Sequence, residues 1–189
     1  NDVQIPGSLV SPGQPVSFVG TLSNAGAAEM KGVEFEGAIQ FTDSLSGKLA
    51  FGYIDAKYTE FLLNGVNVAS QRKVQNTPDW TGNASLTYGV PLASGRLGLT
   101  ASASYRGATQ QFEAAAPQLD QGAYWLYDAS VTWSSDDDRW QFGLHGRNLA
   151  DERYTTSGYF FPGAATDNSV LAFYGNPRTV TLTATFRFN

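Results

Sequence analysis

The C-terminal end of the chain alternates strictly between two kinds of side chain. Residues 178–189 interleave an apolar set that ends in phenylalanines with a set of threonines and arginine. A period of two is that of a β-strand, whose successive side chains point to opposite faces. The segment also has about the 9–11 residues that a tilted strand needs to cross the hydrocarbon layer of a bilayer. We therefore predict a membrane-spanning strand with one apolar face: Val180, Leu182, Ala184, Phe186 and Phe188.

The same alternation recurs upstream, and about eight strands are predicted in all. The further segments are residues 16–24, 33–41, 48–61, 80–88, 96–112, 125–133 and 140–147. Short turns at 42–47, 90–95 and 134–138 alternate with longer loops at 62–78, 113–122 and 155–177. A further turn is predicted at 24–26, and residues 1–15, with three prolines, are predicted to form a loop. Short turns on one side and long loops on the other are typical of outer-membrane barrels.

Composition supports this interpretation. Only 15% of residues are charged, compared with about 25% in average soluble domains. No stretch reaches the roughly 18 consecutive apolar residues of a membrane helix. The net charge of -5 gives no support to nucleic-acid binding, and the absence of cysteine excludes disulfides and thiolate metal sites.

The polar faces of the strands distinguish a membrane barrel from a soluble sheet. In a soluble β-sandwich the outer face normally carries many Lys and Glu side chains, whereas here it carries mainly Thr, Ser, Asn and Gly. The opposite faces of the later strands lack charge, which is expected where a Lys or Arg at mid-bilayer would cost roughly 2–4 kcal/mol. The predicted fold is an all-β, antiparallel transmembrane β-barrel of meandering strands, with a soluble β-sandwich binding module as the alternative.

Few residues suggest reaction chemistry. The single histidine, His145, has no nearby Cys or second His and is interpreted as a polar lumen residue. The acidic run at 136–138 lacks the glycine and glutamate spacing of a calcium loop and is interpreted as a solvated turn. No catalytic triad order or phosphate-binding loop occurs, so neither an enzyme nor a metal or cofactor site is predicted.

Three segments carry a resemblance to a known family. They are GVEFEGAIQF at 32–41, GRNLADERY at 146–154 and YGNPRTVTLTATFRF at 174–188. Their order, the NL-x-D-x-x-Y pattern and the Y-G-x-P-R lead into an aromatic-ended last strand resemble the C-terminal part of TonB-dependent outer-membrane receptors. Family members typically end on Phe, whereas here Asn189 follows Phe188.

The resemblance implies a 22-stranded barrel in the cell outer membrane, with an N-terminal plug domain that contacts the TonB energy-transducing system. Residues 1–189 are then expected to be the C-terminal section of that barrel, truncated from a larger receptor that supplies the absent plug. Expected partners are outer-membrane lipid, the TonB system through the plug, the barrel-assembly machinery and a siderophore-like ligand. Phe186 and Phe188 are the implied barrel-insertion signal.

The expected function is uptake of a nutrient such as a ferric siderophore. A small, complete eight-stranded barrel with a structural or adhesive role is an alternative. Substrate-binding candidates are the loop aromatics Tyr159, Phe160 and Phe161, whose alternative role is that of an aromatic girdle. Two arginines of the polar face, Arg106 and Arg147, are further candidates. They belong to a mixed-sign set that serves either plug docking and substrate passage or ordinary lumen hydration: Glu34, Glu36, Arg106, Asp128, Arg147 and Arg187.

Overall fold

The computed structural model describes residues 3–11, 17–63, 65–161, 163 and 167–188. Its strands, numbered in chain order, are β1 (Val3–Ser11), β2 (Ser17–Gln40), β3 (Leu45–Leu63), β4 (Val66–Asn67), β5 (Trp80–Leu92), β6 (Gly95–Arg106), β7 (Tyr124–Ser135), β8 (Trp140–Arg147), β9 (Thr155–Phe161), β10 (Ser169–Tyr174) and β11 (Thr179–Phe186). A 3-10 turn, Ala69–Gln71, follows β4. None of the helical structure in the described ranges is long and apolar enough to cross a membrane.

The main sheet is an antiparallel meander. Its strands lie side by side in the order β1, β2, β3, β5, β6, β7, β8 and β11, and β4 pairs with the end of β3. Strands β9 and β10 form a separate hairpin. Strands β1 and β11 lie at the two open edges of the described sheet. All neighbouring strands pair antiparallel, so the all-β antiparallel prediction is confirmed.

The strand registers bring the predicted apolar faces together on one surface. Tyr53 lies opposite Trp80, Ala103 opposite Tyr127, and Leu182 opposite Leu144. On the other surface polar groups meet, as in the hydrogen bond of 2.7 Å that Asn83 donates to Ser104. Because a slip of one residue would exchange the two faces, this register confirms the alternation predicted from the sequence.

Aromatic side chains border the apolar surface at both ends. At one end the ring centroids of Tyr53 and Trp80 lie 4.6 Å apart. At the other end those of Trp140 and Phe186 lie 4.5 Å apart. On β7 the two borders are marked by Trp125 and Trp133, a separation of about 26 Å along the strand and roughly 20 Å along the normal of a bilayer after the usual tilt. This separation is slightly smaller than the apolar band of an outer-membrane barrel, which is about 25 Å tall.

No second protein layer covers the apolar surface of the described sheet. Leu182, for example, is 77% exposed. The buried hydrophobic side chains of the described residues lie instead where the loops leave the strands: Tyr58, Phe61, Ala69, Ala116 and Leu119. The apolar surface therefore gains nothing from burial in protein, and its removal from water at about 25 cal/mol per Å² requires another apolar medium.

Two predictions for the start of the chain were wrong. Residues 1–15 were predicted to be a loop, but β1 pairs with the first part of β2; residues 12–16 lie outside the described ranges. Residues 16–24 and 33–41 were predicted to be two strands separated by a turn, but Ser17–Gln40 form one continuous strand, β2. At Gly26, φ is +115° and both adjacent ladders are irregular, which is the geometry of a β-bulge.

Two longer loops also contain more structure than predicted. Within residues 155–177, β9 and β10 pair as a hairpin, and within 62–78 the structure has β4 and the 3-10 turn. The strand predicted at 96–112 ends earlier, at Arg106. These segments lack the strict alternation of the main strands because they lie outside the main sheet, where the two faces of a strand need not differ in polarity.

The turn between β7 and β8 is held by Asp137. Its Oδ1 accepts hydrogen bonds from the Ser135 hydroxyl at 2.6 Å and from the Arg139 backbone N–H at 3.1 Å. Both favour the carboxylate, with the serine bond the larger cause, and together they lower the pKa of Asp137 below its usual value.

The Asp137 contacts predict a pH effect. Because the pKa of Asp137 is lower in the folded protein than in the unfolded chain, its ionised carboxylate stabilises the folded turn at pH values above the unfolded pKa. This stabilisation is lost as the pH falls through the folded pKa. In an NMR titration we expect Ser135→Ala to move the Asp137 midpoint towards that of a free aspartate. Ser134→Ala, one residue away, is the control. An unchanged midpoint in Ser135→Ala would contradict the assignment.

The apolar surface predicts a face-specific response to charge. Ala129 lies midway between Trp125 and Trp133 on β7. We expect Ala129→Arg to lower the free energy of unfolding in lipid vesicles by roughly 2–4 kcal/mol. The matched variant Ser130→Arg, on the polar face, should cost less than about 1 kcal/mol. Equal losses in a urea titration would show that the apolar surface does not face lipid.

Candidate ligand-binding surface

Two of the long loops are joined by hydrogen bonds. The backbone N–H of Lys73 donates to the carbonyl of Glu113, and that of Asn76 donates to Gln110, both at 2.9 Å. The Gln75 side chain also donates to the Glu113 carboxylate at 2.8 Å. The loop before β5 and the loop after β6 therefore form one layer above the strand ends.

A small hydrophobic core supports this layer. Tyr58, Phe61 and Ala69 are buried together, and the two rings meet edge to face at 5.1 Å between centroids. The guanidinium of Arg72 lies 5.6 Å from the centre of the Phe61 ring. Burial raises the pKa of Tyr58, and the negative charge of Glu113 adds to the effect. Tyr58 thus remains neutral well above physiological pH.

The β9–β10 hairpin is braced against the loop before β7. Leu119, only 2% exposed, packs on Gly158, where a Cβ would overlap its side chain. The backbone N–H of Thr155 donates to Gln121 Oε1 at 2.6 Å. These contacts fix one face of the hairpin to its neighbour, and among the described residues the opposite face remains partly exposed to solvent.

That partly exposed face carries a compact apolar surface, which we call the hairpin patch: Tyr159, Phe161, Leu171 and Phe173. Tyr159 is 54% and Phe161 39% exposed. Tyr159 pairs with Leu171 across the hairpin, and its ring centroid is 6.1 Å from that of Phe173. The patch combines rigid aromatic rings with access to solvent, which suits contact with a partly apolar ligand.

The structure divides the three aromatics singled out in the sequence. Tyr159 and Phe161 share the hairpin patch, whereas Phe160 falls on the other face of β9 and is half-buried. Sequence reasoning missed Leu171 and Phe173, because the segment was interpreted as a loop. Their spacing of two residues within β10 was the signal that could have revealed them.

The two candidate arginines lie on the polar surface of the sheet, away from the hairpin patch. Arg106 donates to the backbone carbonyl of Asn76 at 3.0 Å, so it fastens a loop to β6. Arg147 pairs with Thr179 across the β8–β11 ladder. It lines a polar cleft of about 140 Å³ together with Asp128 and His145.

His145 has a polar partner on the next strand. Its Nε2 lies 3.3 Å from the hydroxyl of Thr183. In the part of the chain that the structure describes, no group of three or more His, Cys, Asp or Glu side chains could hold a metal ion. The histidine belongs to the polar lining of the sheet.

The aromatic end of the last strand continues the aromatic border that contains Trp140. The ring centroids of Phe186 and Phe188 are 4.7 Å apart, and Phe188 is 89% exposed. Asn189 lies outside the described residues. The two phenylalanines thus extend the apolar surface at the open edge of the sheet.

The motif residues meet at the base of the last loop. Asn148 is 5% exposed, and its side-chain amide donates to the carbonyls of Glu152 at 2.8 Å and Asn176 at 3.0 Å. Asp151 accepts the backbone N–H of Arg178 at 2.9 Å. The NL-x-D-x-x-Y and Y-G-x-P-R segments are therefore two sides of one contact, which we call the loop clasp.

Proteins of known role resemble this chain. The pesticin receptor of Yersinia enterocolitica is 29% identical over 139 residues, which cover 74% of this chain and 20% of that protein. The structure of the ferric yersiniabactin uptake receptor FyuA from Yersinia pestis superposes with a TM-score of 0.75 at 28% identity, covering 89% of this chain and 25% of that one.

The siderophore receptor PiuA from Acinetobacter baumannii shares the fold, with a TM-score of 0.66 at 21% identity over 88% of this chain and 23% of that chain. The chain thus spans about a fifth to a quarter of the length of these relatives. The family model described as TonB dependent receptor-like, beta-barrel matches residues 1–149. The chain therefore belongs to the TonB-dependent receptor-like β-barrel family.

Proposed function

We propose that the chain forms part of the wall and the extracellular loops of an outer-membrane receptor that takes up a ferric siderophore. The observation that carries this proposal is the position of the hairpin patch, a solvent-accessible aromatic surface on the long-loop side of a family barrel. The names of the similar proteins, a ferric yersiniabactin uptake receptor and a siderophore receptor, support the ligand class. The role is one of binding and transport rather than catalysis.

The two faces of the sheet support the proposed placement in the membrane. The apolar surface, bordered by aromatic rings at both ends, contacts outer-membrane lipid. The long loops extend from the outer side and the short turns face the periplasm. In this proposal residues 1–189 are the C-terminal section of a barrel whose remaining strands close the sheet between β11 and β1.

The hairpin patch makes the first contact with the ligand. Tyr159 and Phe161 supply flat apolar area with few rotatable bonds, so little conformational entropy is lost on binding. Arg106 and Arg147 lie on the lumen side and attract negatively charged ferric complexes that pass the wall. Phe160 supports the hairpin from its opposite face.

The proposed partners act at other parts of the receptor. The TonB system supplies energy through a plug domain, and the barrel-assembly machinery recognises the aromatic end of the last strand, at Phe186 and Phe188. Support for both comes from membership of the family. A complete small barrel with an adhesive role fits less well, because the described sheet is open at β1 and β11.

The hairpin patch predicts a loss of affinity on truncation. In the full-length receptor we expect Tyr159→Ala combined with Phe161→Ala to weaken binding of ferric yersiniabactin about 10- to 100-fold, since each buried ring contributes roughly 1 kcal/mol or more. Ferric yersiniabactin is the probe because the similar structure is that of a ferric yersiniabactin uptake receptor. Fluorescence titration in detergent measures the affinity.

Tyr88→Ala is the matched control, because Tyr88 is an exposed aromatic on the opposite border of the apolar surface. It should leave the affinity unchanged. Iron uptake in cells should require both the receptor and TonB. Unchanged affinity in the double variant would reject the hairpin patch as the binding surface, and failure of several ferric siderophores to bind the native receptor would reject the ligand class.

A further inference from the structure

The loop between β8 and β11 is closed at its base before the hairpin begins. We propose that Asn148 is a positioning residue that, through the loop clasp, fixes where the β9–β10 hairpin stands above the strand ends. The link to ligand capture rests on the proposed function, because it assumes that the hairpin patch contacts the ligand. The positional claim itself depends only on the contacts of the clasp.

Asn148 uses its whole side chain to join the two ends of the loop. Its Oδ1 accepts the backbone N–H of Glu152 at 2.9 Å. Its Nδ2 donates to the carbonyls of Glu152 and Asn176. An amide offers one acceptor and two donors in this arrangement, and a buried amide left without them would carry a desolvation cost. Residues 152 and 176 are therefore held to a single side chain.

The backbone of Asn148 is tied to the wall. Its N–H donates to the Asp128 carboxylate on β7 at 2.8 Å. Its φ of +47° lies in the left-handed region, which asparagine and glycine tolerate better than other residues. Both the backbone conformation and the side-chain bonds thus favour asparagine at this position.

A second set of contacts joins residues of the Y-G-x-P-R segment to the NL-x-D-x-x-Y segment. The Arg178 guanidinium donates to the carbonyl of Leu149 at 3.4 Å, in addition to the bond from its N–H to Asp151. The backbone N–H of Gly175 donates to the carbonyl of Tyr154 at 2.9 Å. A Cβ at Gly175 would overlap the Tyr154 ring. The close approach of the two segments therefore requires glycine.

No linker separates the clasp from the hairpin. Tyr154 is followed directly by the first residue of β9, and Gly175 directly follows the last residue of β10. The guanidinium of Arg153 also lies 4.1 Å from the centre of the Tyr174 ring. Since β9 begins at the clasp and β10 ends there, the geometry of the clasp sets the direction of the hairpin. Releasing it would leave the hairpin held only by its contacts with Leu119 and Gln121 in the loop before β7, and would widen the range of its positions.

Distance measurements between spin labels test the positional claim without a ligand. The chain has no cysteine, so labels can be placed at Ser169→Cys on the hairpin and Ser94→Cys in the β5–β6 turn of the full-length receptor, freed of other cysteines. The native clasp should give one narrow distance distribution. Asn148→Gly, which keeps the φ but loses the amide, should about double its width.

Two further variants separate the clasp from general packing. Asn148→Asp keeps the acceptor for Glu152 but sets a buried carboxylate oxygen against the carbonyls of Glu152 and Asn176, so it should broaden the distribution at least as much as Asn148→Gly. Asn83→Ala, the matched control, removes an asparagine that bonds to Ser104 within the wall and should leave the distribution narrow. Heat-modifiable migration on gels should show that all variants assemble.

Three outcomes would overturn the proposal. They are an unchanged width in Asn148→Gly, an equal broadening in Asn83→Ala, and failure of Asn148→Gly to assemble, since the clasp would then be needed for the wall rather than for the hairpin. Because the labels report without ligand, a native receptor that binds no ferric siderophore would reject the proposed function and leave the positional result standing.

Discussion

Backbone amides inside a hydrocarbon layer have no water to bond with, and this constraint shapes most of the structure. An antiparallel ladder satisfies each interior strand from both sides, so the chain can expose an apolar surface without exposing its peptide groups. The side chains along each strand then need only alternate between apolar and polar. The register places the apolar residues of one strand beside those of the next. The described sheet has this form from β2 to β11. In the function proposed above, further strands of a closed barrel satisfy the backbone groups at the edges β1 and β11.

The membrane strands were predictable because the bilayer imposes a strict period. From Trp125 to Trp133, for instance, residues alternate between the apolar and the polar surface of the sheet, and the sequence shows this alternation directly. Outside the membrane this pressure ends. The first half of β2 and the hairpin strands β9 and β10 alternate less cleanly, and Gly26 allows β2 to continue through a bulge where its composition suggested a turn.

The candidate site was predictable only in part, for the same reason. Aromatic composition pointed to Tyr159, Phe160 and Phe161, but which rings share a face depends on the hairpin register. That register separates Phe160 from the other two and brings in Leu171 and Phe173. The sequence showed the motif residues but not their structural role. Only the fold shows that Asn148 and Arg178, thirty positions apart, close the same loop. Loop geometry of this kind depends on long-range hydrogen bonds that no local pattern encodes.

Contact of the apolar surface with lipid is the central claim, and tryptophan quenching tests it directly. All four tryptophans of the chain lie on that surface, near its aromatic borders: Trp80, Trp125, Trp133 and Trp140. In the full-length receptor, with tryptophans elsewhere replaced by phenylalanine, brominated lipids should quench most of the fluorescence and do so best with bromines near the headgroups. Aqueous iodide should quench little. Strong quenching by iodide with none by brominated lipid would contradict the account.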